Sequence, residues 1–477
     1  MTNSSTTCLF VIIFSYLWLC RKYLHSAIKQ KNCFFVLYCS HLFVPLSPLK
    51  LTTMNKKSIF LTYLALLLSA TTVAQPRFQE VMAAMERAND YFINKYPDPG
   101  KPTFVKKERP SNLWTRGVYF EGLMALTELE RLTGGEKFNR YEKYIMDWGT
   151  AHRWTPRNGV TTRDADDYCC SQTYLDMYVR KHDEQMLTPT VQCMDNVIAA
   201  RQVPWVAGGQ TKSDGSFGDW TWIDAIQMGL PVLSKLTRIC YFAGDKDASR
   251  YVAQGWNMYA ASRNTIGGGL LNLQDGLWWR DKDFVPPYKE PNGEDCYWSR
   301  GNGWVYAALV RAMDAMLVSK QAQAPDFLEP LGEKKWKNIG EDAHFKDEMK
   351  DYLLMTKALL KCQRPDGFWN VSLHDGSNYG GVELSGTALF IYGMAWGVRH
   401  GYLPKKTYLP VIYHSWKAMV KTCLHTNGKL GFVQGTGKEP KDGQPVIFDS
   451  EPDFDDYGLG CFLLCGSEVA RLVAPRN

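Results

Sequence analysis

In Trp222-Ile223-Asp224 a carboxyl group stands beside an indole, just ahead of the apolar run Ala225 to Ala243. Apolar neighbours raise a carboxyl pKa and the positive end of a helix lowers it, so a residue placed there can be tuned into a general acid or base. The same position is where a helix takes its N-cap, and spacing alone allows either role. A second acidic cluster, Asp164, Asp166 and Asp167, lies beside Arg163 and ahead of Tyr168 and Tyr174. One of the three can cap the next helix, but three carboxylates within four residues exceed what a cap requires. If Asp166 or Asp167 faces Asp224, the two acids can hold different protonation states, as glycoside hydrolysis requires of a carboxyl pair.

The string Trp298-Ser299-Arg300-Gly301-Asn302-Gly303-Trp304 sets two indoles around a guanidinium and an amide. Its glycines permit a tight turn and close approach, and the planar fork of Arg300 matches a carboxylate. An acidic sugar fits such a site; the other reading is a structural aromatic cluster around a buried arginine.

These residues are placed by helices. Knots of Trp, Asp, Arg, Gly or Glu around Trp114, Asp166, Trp222, Trp298, Glu383 and Asp456 each introduce an apolar helix: Gly117 to Leu132, Ser171 to Val179, Ala225 to Ala243, Trp304 to Leu317, Thr387 to His400 and Gly460 to Val473. Other segments carry a one-sided stripe. Phe78 to Phe92, Phe138 to Trp148, the run after the Thr188 cap and Pro189, Phe345 to Leu360, and Leu409 to Val420 read as outer helices. Helices apolar nearly all round belong inside. The expected architecture is all-α: about twelve helices in six hairpins, an (α/α)6 barrel whose six knots crowd at one end. Strand-like alternation is confined to short stretches such as Gly431 to Val433. The long Gly/Pro/Trp-rich loop Gly267 to Tyr297 belongs to the functional end, and the polar, lysine-rich stretch Gln321 to Ala343 reads as a surface excursion on the opposite face.

Seven of the 55 basic residues lie in the first 74 positions, which hold no Asp or Glu, leaving 48 against 49 acidic ones. The remaining chain is near neutral, and its basic balance is no argument for nucleic acid or an anionic membrane. Met54 is followed by Lys56, Lys57, an apolar run from Ile59 to Leu68 and small residues to Ala74, the order of a secretory signal. We therefore expect residues 1–53 to be an upstream mis-called start, 54–74 a signal peptide, and 75–477 a single catalytic domain, secreted and periplasmic, without a membrane association after cleavage. The competing reading, Leu9 to Leu19 as an anchor, is short for a span, which needs about 20 apolar residues. The nine cysteines beyond the leader form no CxxC pair, so neither a zinc site nor a regular disulfide framework is expected. The adjacent Cys169 and Cys170 read as small buried side chains.

Trp114 with Gly117 and Gly122, Asp166-Asp167, Trp222-x-Asp224, Trp298-x-Arg300-x-x-x-Trp304, Gln363-x-x-Asp366-Gly367-x-Trp369, Glu383-x-Ser385-Gly386-Thr387 and Tyr457-Gly458-x-Gly460 follow one another in the order seen in unsaturated glycuronyl hydrolases. The chain resembles the unsaturated rhamnogalacturonyl hydrolases of glycoside hydrolase family 105, with the unsaturated glucuronyl hydrolases of family 88 as relatives. The resemblance covers nearly all of the mature chain. It implies removal of a 4,5-unsaturated uronic acid from the non-reducing end of lyase-generated acidic oligosaccharides. Asp224 would be the acid/base that protonates C4 and helps water add at C5, after which the hemiketal opens and releases the neighbouring sugar. Asp166 or Asp167 would bind sugar hydroxyls and influence Asp224. Trp114, Trp222, Trp278, Arg280, Trp298, Arg300, Trp304, Glu383 and Thr387 are expected to bind substrate. No metal or organic cofactor is called for, and the state is a monomer or homodimer. One departure stands out: where better-known members carry His in Tyr-His-x-Trp-Asp, this chain reads Leu277-Trp278-Trp279-Arg280-Asp281. Trp278 and Arg280 are candidates to replace the imidazole. Two rival functions are a conventional inverting glycosidase on saturated glycans, using Asp224 with Asp166 or Asp167, and a non-catalytic glycan-binding protein.

Overall fold

The computed structural model describes residues 74–104, 108–201, 220–317, 343–449 and 456–475. The leader readings fall outside these residues, except Ala74, as does the excursion read at Gln321 to Ala343 apart from its last residue. Among the described residues are twelve long helices: α1 (Phe78–Lys95), α2 (Trp114–Thr133), α3 (Phe138–Ala151), α4 (Ser171–Lys181), α5 (Thr188–Arg201), α6 (Asp224–Phe242), α7 (Ser249–Asn264), α8 (Ser299–Met316), α9 (Ala343–Cys362), α10 (Leu384–Arg399), α11 (Lys405–Thr422) and α12 (Tyr457–Val473).

The even-numbered helices form a closed ring in the order α2, α4, α6, α8, α10, α12 and back to α2. Burial explains the division. In α10 every residue from Leu384 to Val398 is buried, whereas α1 buries only one face, through Val81, Met82, Met85, Ala88 and Phe92. A helix without a polar face has to be surrounded, and a striped one can cover it from outside. Because each inner helix follows an outer partner, all six run the same way and all six N-termini reach the same end.

Four differences from the sequence reading have local causes. Helix α7 went unread because its buried Tyr251, Val252, Gly255, Met258 and Tyr259 are interleaved with polar residues that blur its period. Helix α8 begins at Ser299, not near Trp304, so the glycines at 301 and 303 lie in its first turns rather than in a tight turn. Thr188 is the first helical residue of α5 rather than the residue preceding it. Gly431 to Val433 is not a strand: Phe432 has φ +58°, and the paired strands are two-residue ladders, Thr103–Phe104 with Glu108–Arg109 and Leu271–Asn272 with Leu277–Trp278.

Two features hold the ring. Inside it, Glu121 of α2 accepts from Gln227 Nε2 of α6 at 2.8 Å and faces Arg311 of α8 at 3.5 Å, while Arg311 Nε donates to Gln172 Oε1 of α4 at 3.0 Å. Burial pushes the Glu121 carboxyl up and the Arg311 guanidinium opposes it. The other feature is the seam between the first and last inner helices, where Gly122 of α2 lies against Gly460 of α12. A Cβ on Gly122 would sit 2.5 Å from the Gly460 carbonyl, and one on Gly460 would run into Val118 O. All nine cysteines of this part of the chain are free thiols, and no helix among the described residues is long and apolar enough to cross a membrane.

Because both sides of that seam are backbone, neither can yield cheaply. Gly460→Val is expected to lower stability by about 3 kcal/mol, the upper part of the range for overpacking a core, measured as a shift in the urea unfolding midpoint. An unchanged midpoint would show that α2 and α12 do not need this approach.

Candidate active site

Asp224 is the first residue of α6, and no side chain caps that helix, which removes the capping role as an account of its carboxylate. It is 8% exposed. Its partner is Arg280, whose Nε donates to Asp224 Oδ2 at 3.0 Å and whose Nη1 donates to Asp281 Oδ2 at 2.7 Å. Backbone pairing brings the two together: Ile223 N–H donates to Arg280 O at 2.9 Å, and Trp222 and Asp281 form an antiparallel bridge. The loop that departs from the family pattern is therefore fastened along the entry to α6.

The three acids before α4 separate by their bonds. Asp164 Oδ1 accepts from the Asp166 N–H at 3.0 Å and caps the short helical turn Ala165–Tyr168. Asp167 is buried and accepts from Arg157 Nη1 at 2.8 Å, Asn158 Nδ2 at 2.9 Å and Thr162 Oγ1 at 2.6 Å, which ties down the loop from 157 to 162. Asp166 is half-buried and lies within electrostatic reach of Asp224 and Arg280. Burial, and after it the Asp164 and Asp224 carboxyls, push Asp166 up to about 8. Of the pair left open by the sequence, Asp166 is the one whose charge is coupled to that of Asp224, and Asp167, expected in a catalytic role, is tied into the 157–162 loop.

The tryptophan and arginine string is structural in a way its spacing did not reveal. Arg300 is 1% exposed; Nη1 donates to Gln434 O at 2.8 Å and Nη2 to Gly435 O at 2.7 Å. Its guanidinium carbon lies 4.6 Å from the Trp298 ring centroid and 5.1 Å from that of Tyr457. Trp298 Nε1 donates to Gln434 Oε1 at 2.8 Å, and the Tyr457 hydroxyl donates to Gln434 O. The fork expected to meet a sugar carboxylate thus clamps the 434–435 loop to the barrel, the alternative that the sequence left open. Gln434, which sequence reasoning missed, is the centre of the clamp; no local pattern marks it.

Other expected ligands are also interior. Trp278, Trp298 and Trp304 are all but fully buried. Glu383 caps α10, its Oε1 accepting from Ser385 N–H at 2.9 Å and its Oε2 from Gly386 N–H at 2.7 Å. Thr387 Oγ1 accepts from Trp369 N–H at 3.1 Å. These residues pack the interior: helix ends and loop groups claim the polar atoms of Trp298, Glu383 and Thr387, while Trp278 and Trp304 are buried with their indole N–H groups unpartnered. Trp114 and Trp222 are half-buried. Trp114 meets Trp304 edge-on at 6.2 Å and Tyr457 at 5.7 Å, so the knots at 114, 298 and 456 converge. No group of three His, Cys, Asp or Glu side chains among the described residues is arranged to hold a metal ion. A separate groove of about 720 Å³, lined by Glu86, Asp90, Tyr91, Lys137 and Asn427 among others, lies on the outer face. Lys137 is already paired there with Glu86 and Asp90 at 3.0 and 2.6 Å, and no reaction centre is read into it.

A ring of six helical hairpins with an arginine bridging the carboxyls of Asp224 and Asp281 near aromatic rings is the framework of a barrel glycoside hydrolase. Residues 84–473 match the model of Glycosyl Hydrolase Family 88, and the chain belongs to that family. It is 29% identical over 368 residues to an unsaturated 3S-rhamnoglycuronyl hydrolase of Formosa agariphila, covering 75% of this chain and 84% of the relative. A protein of the same name from an Alteromonas species is 29% identical over 313 residues, 64% of this chain and 66% of the relative. Among solved structures, a family 88 glycosyl hydrolase from Bacteroides vulgatus superposes with a TM-score of 0.65 at 26% identity, covering 83% of this chain and 99% of that one. A possible family 105 member from Salmonella enterica gives 0.59 at 20% identity over 84% and 97%, which speaks for the fold alone.

Arg300→Ala removes two charge-assisted bonds to backbone and empties the space between two rings. It is expected to cost about 3 kcal/mol of stability, read from denaturant unfolding. If Arg300→Ala kept full stability and lost only substrate affinity, Arg300 would be a ligand after all.

Proposed function

We propose that the chain removes a 4,5-unsaturated uronic acid from the non-reducing end of an acidic oligosaccharide, of the rhamnoglycuronyl type named for its two relatives. The observation that carries this reading is the contrast between two carboxyls: Asp224 is ion-paired with Arg280, and Asp166, which feels the Asp224 charge, is pushed up to about 8. At neutral pH Asp166 keeps its proton while Asp224 faces a guanidinium, so the site can both give and take. Hydration of the enol ether needs both acts: a proton delivered to C4 and a proton removed from the water whose oxygen bonds to C5. In the sequence reading Asp224 does both. The ion pair supports a division in which Asp166 gives the proton to C4 and Asp224 accepts the one from water. The hemiketal formed at C5 then opens, and the hemiacetal left at C1 releases the next sugar. Half-buried Trp114 and Trp222 are the aromatic faces left for the sugar ring. Export to the periplasm belongs to the same proposal and is supported by the charged, apolar and small-residue order after Met54.

Hydration consumes the double bond, so its ultraviolet absorbance should disappear in step with sugar release. A conventional inverting glycosidase would release sugar and leave the absorbance, and a binding protein would do neither. Asp224→Asn is expected to lower turnover about 100-fold or more; full activity in that variant would sink the assignment.

The pH profile tests Asp166 separately. A carboxyl whose pKa is raised works as an acid below that value and loses its proton above it, so activity should fall as pH rises through about 8. Asp166→Asn should reduce turnover and abolish that alkaline limb in whatever activity remains. A limb of the same position in Asp166→Asn would assign it to another group.

A further inference from the structure

We infer that Arg280 reads the carboxylate of the uronyl ring and thereby sets C5 beside Asp224, an inference that rests on the function proposed above. Arg280 Nε is taken by Asp224 and Nη1 by Asp281, whereas Nη2 donates to no protein atom among the described residues. The side chain is 22% exposed, enough to meet solvent. Of the other arginines at this end, Arg300 is held by the carbonyls of Gln434 and Gly435 and Arg157 by Asp167, while Arg116, which reaches Asp456 through Nε at 3.3 Å, is only 1% exposed and lies too deep to meet a ligand. The guanidinium thus offers Nη2 at the edge next to Asp224, in the planar geometry that suits a carboxylate.

The chemistry of the substrate gives that position its meaning. The uronyl carboxylate is bonded to C5, the carbon that water attacks. An anion accepting from Nη2 therefore brings C5 next to the carboxylate that would take the water's proton, and orientation of this kind is a large part of a rate enhancement. The arriving charge joins Asp224 and Asp281 around a single cation, and like charges nearby favour the protonated form of Asp166. Substrate binding would then help to hold the acid in its working state. The backbone pairing of Ile223 with Arg280 makes the arrangement rigid before any ligand enters.

The test compares the full chain with Arg280→Gln and Arg280→Lys on two probes, an unsaturated uronyl disaccharide and its C6 methyl ester, following loss of the double-bond absorbance. The wild type should prefer the acid by about 100-fold in kcat/KM, the scale of a lost charge-assisted hydrogen bond. In Arg280→Gln the preference should collapse to within about threefold, chiefly through KM for the acid. If Arg280→Gln slows both probes equally and keeps the preference, Arg280 only positions Asp224 and the inference fails. Should Arg280→Gln not fold, by its thermal midpoint, Arg280→Lys decides: an ammonium cannot hold Asp224 and a second carboxylate in one plane, so a preference kept at the wild-type level overturns the inference. A wild type that leaves the acid's absorbance intact overturns the proposed function, and the inference with it.

Discussion

Six helix N-termini meet at one end of this barrel, and each brings backbone N–H groups that have no partner within their own helix. Satisfying them in a crowded, largely dry space decides what every other polar residue there can do. Glu383 answers the start of α10 and Asp456 that of α12, where Tyr457 N–H donates to Asp456 Oδ1 at 2.9 Å. Asp164 answers the turn before α4. Helix α6, like α2, α4 and α8, starts without a side-chain cap, and its first residue is an acid left to an arginine. A carboxylate becomes available for chemistry here because the helix it begins does not use it.

The same logic explains the fate of the cations. A fork that can reach a loop carbonyl inside the barrel is drawn to it, since an unpaired buried carbonyl is costly. Arg300 closes over the 434–435 loop in this way, sandwiched between Trp298 and Tyr457. Arg280 sits one layer further out, on a strand-like edge beside α6, and keeps a donor for something else. Two arginines of equal chemistry thus differ in role through depth alone.

Much of the fold was legible in the sequence because the inner helices are apolar on all sides, a signal that survives without knowledge of their neighbours. Helix α7 was not, since its buried apolar residues are interrupted by Gln254 and Ser262, polar side chains whose burial depends on their neighbours in the fold. At the site, the chemistry of Asp224 and the acidic cluster could be read from residue type, and the choice between Asp166 and Asp167 could not. It depended on Arg157, Asn158 and Thr162 folding back onto Asp167. The burial of Arg300 was hidden for the same reason at longer range, because its acceptors lie 134 and 135 residues further along the chain. Sequence spacing shows which groups are present; which of them remain unengaged is settled by contacts between distant segments.

The glycine seam between α2 and α12 has a consequence for how the molecule comes into being. Thr115, at the head of α2, donates to Asp456 across 341 residues of sequence, so the two flanks that must join are among the first and last parts of the barrel to leave the ribosome. Until the final helix emerges, the growing arc has two raw apolar edges with nothing to cover them, a state open to aggregation and to chaperone capture. Long-range closure of this kind is slow because its entropy cost precedes its reward. Nascent chains that stop short of the last helix would have every piece of the acidic mouth except the one that shuts the circle.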